Sequence, residues 1–159
     1  MIIHADVVRK RKKTKQKDEF QFISDSIEMN SKDLEEKVKS LVHKLRFEKG
    51  YVCSVDVLMG LDYLSKIDYE NWRFGRVAYL EKVCKVNLSK LTSINLLIRK
   101  FSKDLNLKES FTLYKQFGKG PKRLLRFSKT GIQNIEDSYS IHYIDLERIK
   151  VNASAQQRV

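Results

Sequence analysis

"FTLYKQFGKGPKRLLRFSK", residues 111–129, holds two short apolar runs on either side of a Gly-Lys-Gly-Pro turn. Six of its residues are basic and none is acidic. The glycines supply the positive φ that a tight turn needs, and Pro121 limits pairing beyond it. The stretch therefore predicts a β-hairpin over about 110–128. Alternation places Phe111, Leu113, Leu125 and Phe127 on its buried face. Lys115, Lys119, Lys122, Arg123, Arg126 and Lys129 are left along the strands and at the tip. A phosphate-cradling loop is set aside, because a strand and not a helix follows the glycines and no GK[ST] is present.

The elements before the hairpin read as helices. Residues 32–49 carry Leu34, Val38, Leu41, Val42 and Leu45 on one face, with Ser31 as N-cap and Gly50 as C-cap. Acidic residues crowd the first turn and basic ones the last, as the helix dipole favours. "SVDVLMGLDYLSKIDYENWRFG", 54–75, predicts two short helices, capped by Ser54 and Ser65, in a helix-turn-helix-like pair. Residues 76–85 predict another helix. A longer one over 88–105 has Leu88, Leu91, Ile94, Ile98, Phe101 and Leu105 as its apolar stripe, and Lys90, Arg99, Lys100 and Lys103 elsewhere on its surface. A short helix is expected at 134–145, capped by Asn134. The fold class is thus mainly α (α+β), a compact helical domain with one C-terminal hairpin, partly winged-helix-like; the helix at 88–105 departs from the winged-helix order. One domain is expected over 31–146. Before it come a basic flexible arm and linker, 1–30, with a short strand at Phe20–Ile23. A frayed tail, 147–159, follows.

Two later stretches, "YVCSVDVLMGLDYLSKIDYENWRFGRVAYLEKV" (51–83) and "YKQFGKGPKRLLRFSKTGIQNIEDSYSIHY" (114–143), resemble an uncharacterised family of bacterial cytosolic proteins. The resemblance covers about residues 45–145. It implies a bacterial, cytosolic origin and makes residues 1–30 a variable extension. It brings no catalytic residue with it.

Charge is the strongest functional signal. The 159 residues carry a formal net charge of +12, with 32 Lys/Arg against 20 Asp/Glu. Residues 72–131 hold fifteen basic and three acidic residues, and residues 1–17 hold seven and one. Between them, residues 18–71 are net acidic, with seven basic and twelve acidic residues. Such a field attracts polyanions. "RKRKKTKQK", 9–17, has no apolar periodicity and is expected to stay disordered until a polyanion screens it. "WRFGRVAY", 72–79, sets Arg73 and Arg76 among aromatic side chains, a pattern frequent at nucleic-acid and protein contacts; Trp72 itself reads as core.

No metal or cofactor is expected. The two cysteines lie 31 residues apart, the three histidines are scattered, and no CxxC or HxxxH occurs. Cys53 and Cys84 are expected as free thiols in a cytoplasmic protein. Asp56, Asp62, Asp68 and Glu70 suit capping and solvated faces better than a metal-dependent nuclease. A tyrosine nucleophile among Tyr114, Tyr139 and Tyr143, with Arg123 as basic partner, has nothing in the sequence to fix its geometry. No run is long and apolar enough to span a bilayer.

The reading is a non-catalytic nucleic-acid-binding protein, regulatory or accessory. It would use Arg73, Arg76, the cations of 88–105, the hairpin cations and the arm residues Arg9, Lys10, Arg11, Lys12 and Lys13. The alternative is an adaptor or inhibitor that docks on an acidic protein surface, anchored by Trp72, Phe74 or Phe117. A nucleic-acid-processing enzyme is the third reading.

Overall fold

The computed structural model describes the backbone of residues 3–157 and the side chains of residues 16–157. The described residues form six α-helices, one 3-10 turn and three short strands, an α+β fold. The chain divides into two units, Met1–Glu36 and Lys37–Val159.

Helix α1 runs from Ile3 to Lys49. The helix expected at 32–49 therefore starts about thirty residues earlier, and the linker and the strand at Phe20–Ile23 are helical instead. Leu34, Val38, Val42 and Leu45 are buried, as the spacing required. Gly50, at φ +79°, ends the helix and donates its N–H to the Arg46 carbonyl at 2.9 Å. A Cβ at this glycine would also meet Ile149 at 2.8 Å.

Strand β1 (Tyr51–Cys53) leads into α2 (Ser54–Gly60) and α3 (Lys66–Arg73). Ser65 caps α3 by accepting from the Asp68 N–H at 3.0 Å. Ser54 does not cap α2. Cys53 holds the N-cap position, and Ser54 is buried, its Oγ donating to Asn95 Oδ1 at 2.7 Å. Between the two helices Asp62 turns the chain at φ +60°. The helix expected over 76–85 shrinks to a 3-10 turn at Leu80–Val83. Here Leu80 and Glu81 donate their N–H groups to the carbonyls of Arg126 and Phe127, at 3.2 and 2.9 Å. Pairing with a distant segment has replaced the local helical bonds. Helix α4 (Leu88–Asp104), capped by Asn87, buries Leu91, Ile94, Ile98 and Phe101; Leu88 is exposed.

The strand pairing differs from the expected hairpin. β2 (Lys108–Phe111) and β1 each pair antiparallel with β3 (Ile141–Ile144), giving the order β1-β3-β2. The helix expected at 134–145 is thus α5 (Gln133–Ser140) followed directly by the central strand, and Ile132, not Asn134, takes its N-cap position. β2 spends its backbone bonds on β3, so residues 112–128 lack the ladder of a regular hairpin. They turn back through one bridge, Lys115 to Leu124. Leu125 and Phe127 are buried as alternation required, but Phe111 and Leu113 are exposed. The segment expected to fray is helix α6 (Leu146–Gln156). Asp145 caps it, accepting from the Arg148 N–H at 3.0 Å and from Arg46 Nε at 2.6 Å.

Candidate functional site

The loop 112–128 is held by an aromatic cluster. Trp72, at the end of α3, is fully buried. Its ring lies 5.6 Å from Tyr114 and 5.2 Å from Phe127, and Phe127 stacks on Tyr139 at 5.5 Å. The indole N–H donates to the Arg126 carbonyl at 2.9 Å, so the one polar atom of the tryptophan also grips the loop. At the loop's far end Glu136 accepts from the N–H groups of Phe127 (2.9 Å) and Ser128 (2.8 Å) and from the Ser128 hydroxyl. Glu81 accepts from the Lys129 N–H at 3.1 Å and from the Tyr139 hydroxyl at 3.0 Å. Both carboxylates are engaged by neighbouring donors, which gives them a structural task.

The outer part of the loop closes on the end of α3. Phe117 donates its N–H to the Arg73 carbonyl at 2.6 Å. Gln116 donates from Nε2 to the Phe74 carbonyl at 3.2 Å and accepts from Arg123 Nε at 3.0 Å. Gly75, at φ +74°, is required here twice over: its backbone is left-handed, and a Cβ would sit 2.8 Å from the Gln116 side chain. The Arg73 guanidinium lies 3.9 Å from the Phe117 ring centroid and 5.1 Å from that of Tyr114. It donates to the Tyr69 hydroxyl at 3.3 Å, while its buried Nε has no hydrogen-bond partner. Phe74 and Phe117 meet edge to face at 5.8 Å, and each keeps 41% of its surface exposed. Arg76 lies 5.2 Å from the Phe74 ring centroid.

Lys115, Lys119, Lys122, Arg123, Arg126 and Lys129 are exposed along this loop. Lys122 donates to the Gly118 carbonyl and Arg126 to the Lys129 carbonyl at 2.9 Å, contacts that leave both charges unneutralised. Neither 111–129 nor 71–79 contains an acidic residue. Contacts thus join Arg73 to Phe117, Arg76 to Phe74 and Arg123 to Gln116, and the remaining loop cations are exposed.

The other expected cations are carried elsewhere. Helix α4 packs on α2 and β1. Lys90 is half-buried, 5.3 Å from the Tyr63 ring centroid. Arg99 lies 4.0 Å from Glu109, and Lys100 and Lys103 are exposed. The side chains of Arg9, Lys10, Arg11, Lys12 and Lys13 lie outside the described ones.

Sequence reasoning missed a polar cluster at the central strand β3. Tyr114 and His142 share a hydrogen bond of 2.7 Å, and His142 stacks on Tyr51 at 5.2 Å. In the sheet His142 of β3 stands opposite Cys53 of β1 and Ser110 of β2, and Tyr114 reaches it from the loop beyond β2. Burial lowers the His142 pKa from its ordinary 6.5, which keeps the ring neutral. Burial pushes the Cys53 thiol up to about 12, and does the same for Cys84 and for the Tyr143 phenol. It also raises Tyr114 and Tyr139. These are protonated groups, the opposite of activated nucleophiles. Tyr114, Tyr139, Tyr143 and Arg123 are not brought together: Tyr114 bonds His142, Tyr139 bonds Glu81, and Arg123 bonds Gln116. Among the described residues no group of three or more His, Cys, Asp or Glu could hold a metal ion, and no helix is long and apolar enough to cross a membrane. Comparisons of the chain with family models, with curated proteins and with solved structures each find no match.

Proposed function

We propose that the protein binds nucleic acid, without catalysis, through the surface that the end of α3 and the loop 112–128 make together. The observation that carries this reading is Arg73 seated against Phe117 beside the half-exposed Phe74, in a run of cations with no acidic residue among them. Cations along the loop suit phosphates, and exposed aromatic edges suit unstacked bases. Single strands are therefore the better ligand, because a duplex keeps its base faces covered. Contacts of this kind position a backbone and carry little sequence information.

The test is fluorescence anisotropy with 20-nucleotide single-stranded RNA, single-stranded DNA and duplex DNA at ~50 mM salt, where phosphate contacts are strongest. The expected result is binding to single strands, weakened by Phe74→Ala with Phe117→Ala and by charge removal at Lys119, Lys122 and Arg123. No binding to any of the three at this salt contradicts the reading. Retention instead of one stoichiometric protein, resistant to nuclease, assigns the same surface to an acidic protein partner.

A further inference from the structure

We infer that a bound single strand runs past the end of α3 and the loop onto a second platform, made by Tyr51, Tyr69 and His142, where uncharged contacts hold it. The inference rests on the nucleic-acid reading of the loop surface and extends it by one patch. Arg73 is the link between the two. Its guanidinium meets the Phe117 ring, and it also donates to the Tyr69 hydroxyl, with the Tyr69 ring centroid 5.8 Å away. Buried Tyr114, 5.1 Å from the same guanidinium, carries the contact on through its hydroxyl to His142. The His142 ring in turn lies parallel to that of Tyr51, at an interplanar angle of 4°. Tyr51, Tyr69 and His142 are each half-buried, so each keeps part of its surface open.

Electrostatics set this patch apart from the loop. Lys49 lies 5.8 Å from the Tyr51 ring centroid, but it is ion-paired with Asp56 at 2.9 Å, so the two charges offset each other. Burial, and then the Asp56 charge, raise the Tyr51 phenol above its ordinary 10, and Tyr69 adds to the shift. Burial also keeps the His142 ring neutral. Near neutral pH the patch therefore offers aromatic faces, hydroxyl donors and a neutral imidazole, with no net charge. Aromatic faces take bases of any sequence, and hydroxyls pair with base edges or phosphate oxygens. Contacts of this kind release no counterions, so they add affinity that salt does not erode. The loop cations do the opposite. They attract the backbone strongly at low salt and weakly at high salt.

The test uses the full chain and single strands of about 4 and about 12 nucleotides, which span common site sizes of single-strand binders. Affinities are read by fluorescence anisotropy at ~50 and ~200 mM salt. Tyr51→Ala should weaken binding of the longer strand about tenfold, equally at both salts, and leave the shorter strand, held by the loop cations, unchanged. Tyr51→Phe keeps the ring and should retain most of the affinity, and circular dichroism checks that both variants stay folded. In the native chain, a longer strand carrying a photoreactive thiopyrimidine should cross-link to Tyr51, Tyr69 or His142 as well as to the loop. Failure of both strands to bind would overturn the loop reading and this inference together. Binding of the shorter strand with the longer one no tighter, a Tyr51→Ala loss that disappears at the higher salt, or cross-links confined to the loop would each overturn this inference and leave the loop reading standing.

Discussion

Helix α4 and the loop 112–128 belong to the same basic stretch of sequence, yet they present their charge differently. On α4 the apolar stripe is buried, and the cations are spread around the remaining surface of a regular helix, one of them facing Glu109. In the loop the anchor residues Tyr114, Leu125 and Phe127 are buried while every cation and the edge of Phe117 stay outside, beside Phe74 at the end of α3. Charge density alone does not separate a solvated helix face from a binding surface. Among the described residues the loop with the end of α3 combines cations, exposed aromatics and missing carboxylates, and the proposed binding role rests on that combination.

The largest expected effect comes from the anchor of that surface. Trp72→Ala should cost about 3–5 kcal/mol, the usual range for a fully buried large aromatic, and should abolish binding with it. Urea unfolding followed by far-UV circular dichroism checks the first part. Next, reversing Lys119, Lys122 and Arg123 to Glu should weaken single-strand binding about a hundredfold, each lost phosphate contact adding to the loss. The same reversal at Arg99, Lys100 and Lys103 should cost less than about tenfold, through the long-range field alone. Equal losses in the two triple variants would erase the distinction between helix and loop. Phe117→Ala removes one stacking edge and the platform of Arg73, and should weaken binding about five- to tenfold, in keeping with about 1–3 kcal/mol per stacked base. Its unfolding midpoint should move far less than that of Trp72→Ala, because the ring keeps 41% of its surface exposed.

Much of the helical skeleton was legible in the sequence, and the reasons are local. Ser65 caps α3 through its own Asp68, Gly50 takes the left-handed φ that stops α1, and the stripe of α4 repeats over four turns. The sheet was not legible, because strands of three and four residues are too short to show alternation and their partners lie far apart in sequence. Tyr143 gave a helical spacing with Ile135 and Tyr139, yet it belongs to β3, since the helix ends at Ser140. The hairpin reading failed at Phe111 for a related cause: β3 takes its backbone bonds. The candidate surface was half legible. Its residues stood out by charge and aromatic content, but the seating of Arg73 on Phe117 needed the loop to fold back on α3. His142 gave no signal at all, since it meets Tyr114 only once the loop beyond β2 folds back against the sheet.

The smallest effect concerns that half-buried pair. The folded protein holds His142 below its ordinary 6.5, so as pH falls through that value the unfolded chain takes up the proton first. The neutral ring's contribution is therefore fully present above about pH 6.5 and declines below it. Unfolding in urea at pH 7.5 and 5.5 should show a larger loss for the native chain than for His142→Gln. An equal loss in both would place the pH dependence in other groups.

The most direct test of the central claim is the salt dependence of single-strand affinity for the native chain and for a variant with Lys119, Lys122 and Arg123 changed to Gln. Affinity of the native chain should fall steeply as salt rises from ~50 to ~200 mM, and the variant should bind more weakly with a slope shallower by about two, since each phosphate contact contributes roughly 0.7 on a single strand. Identical affinity and slope in the two proteins would contradict the account.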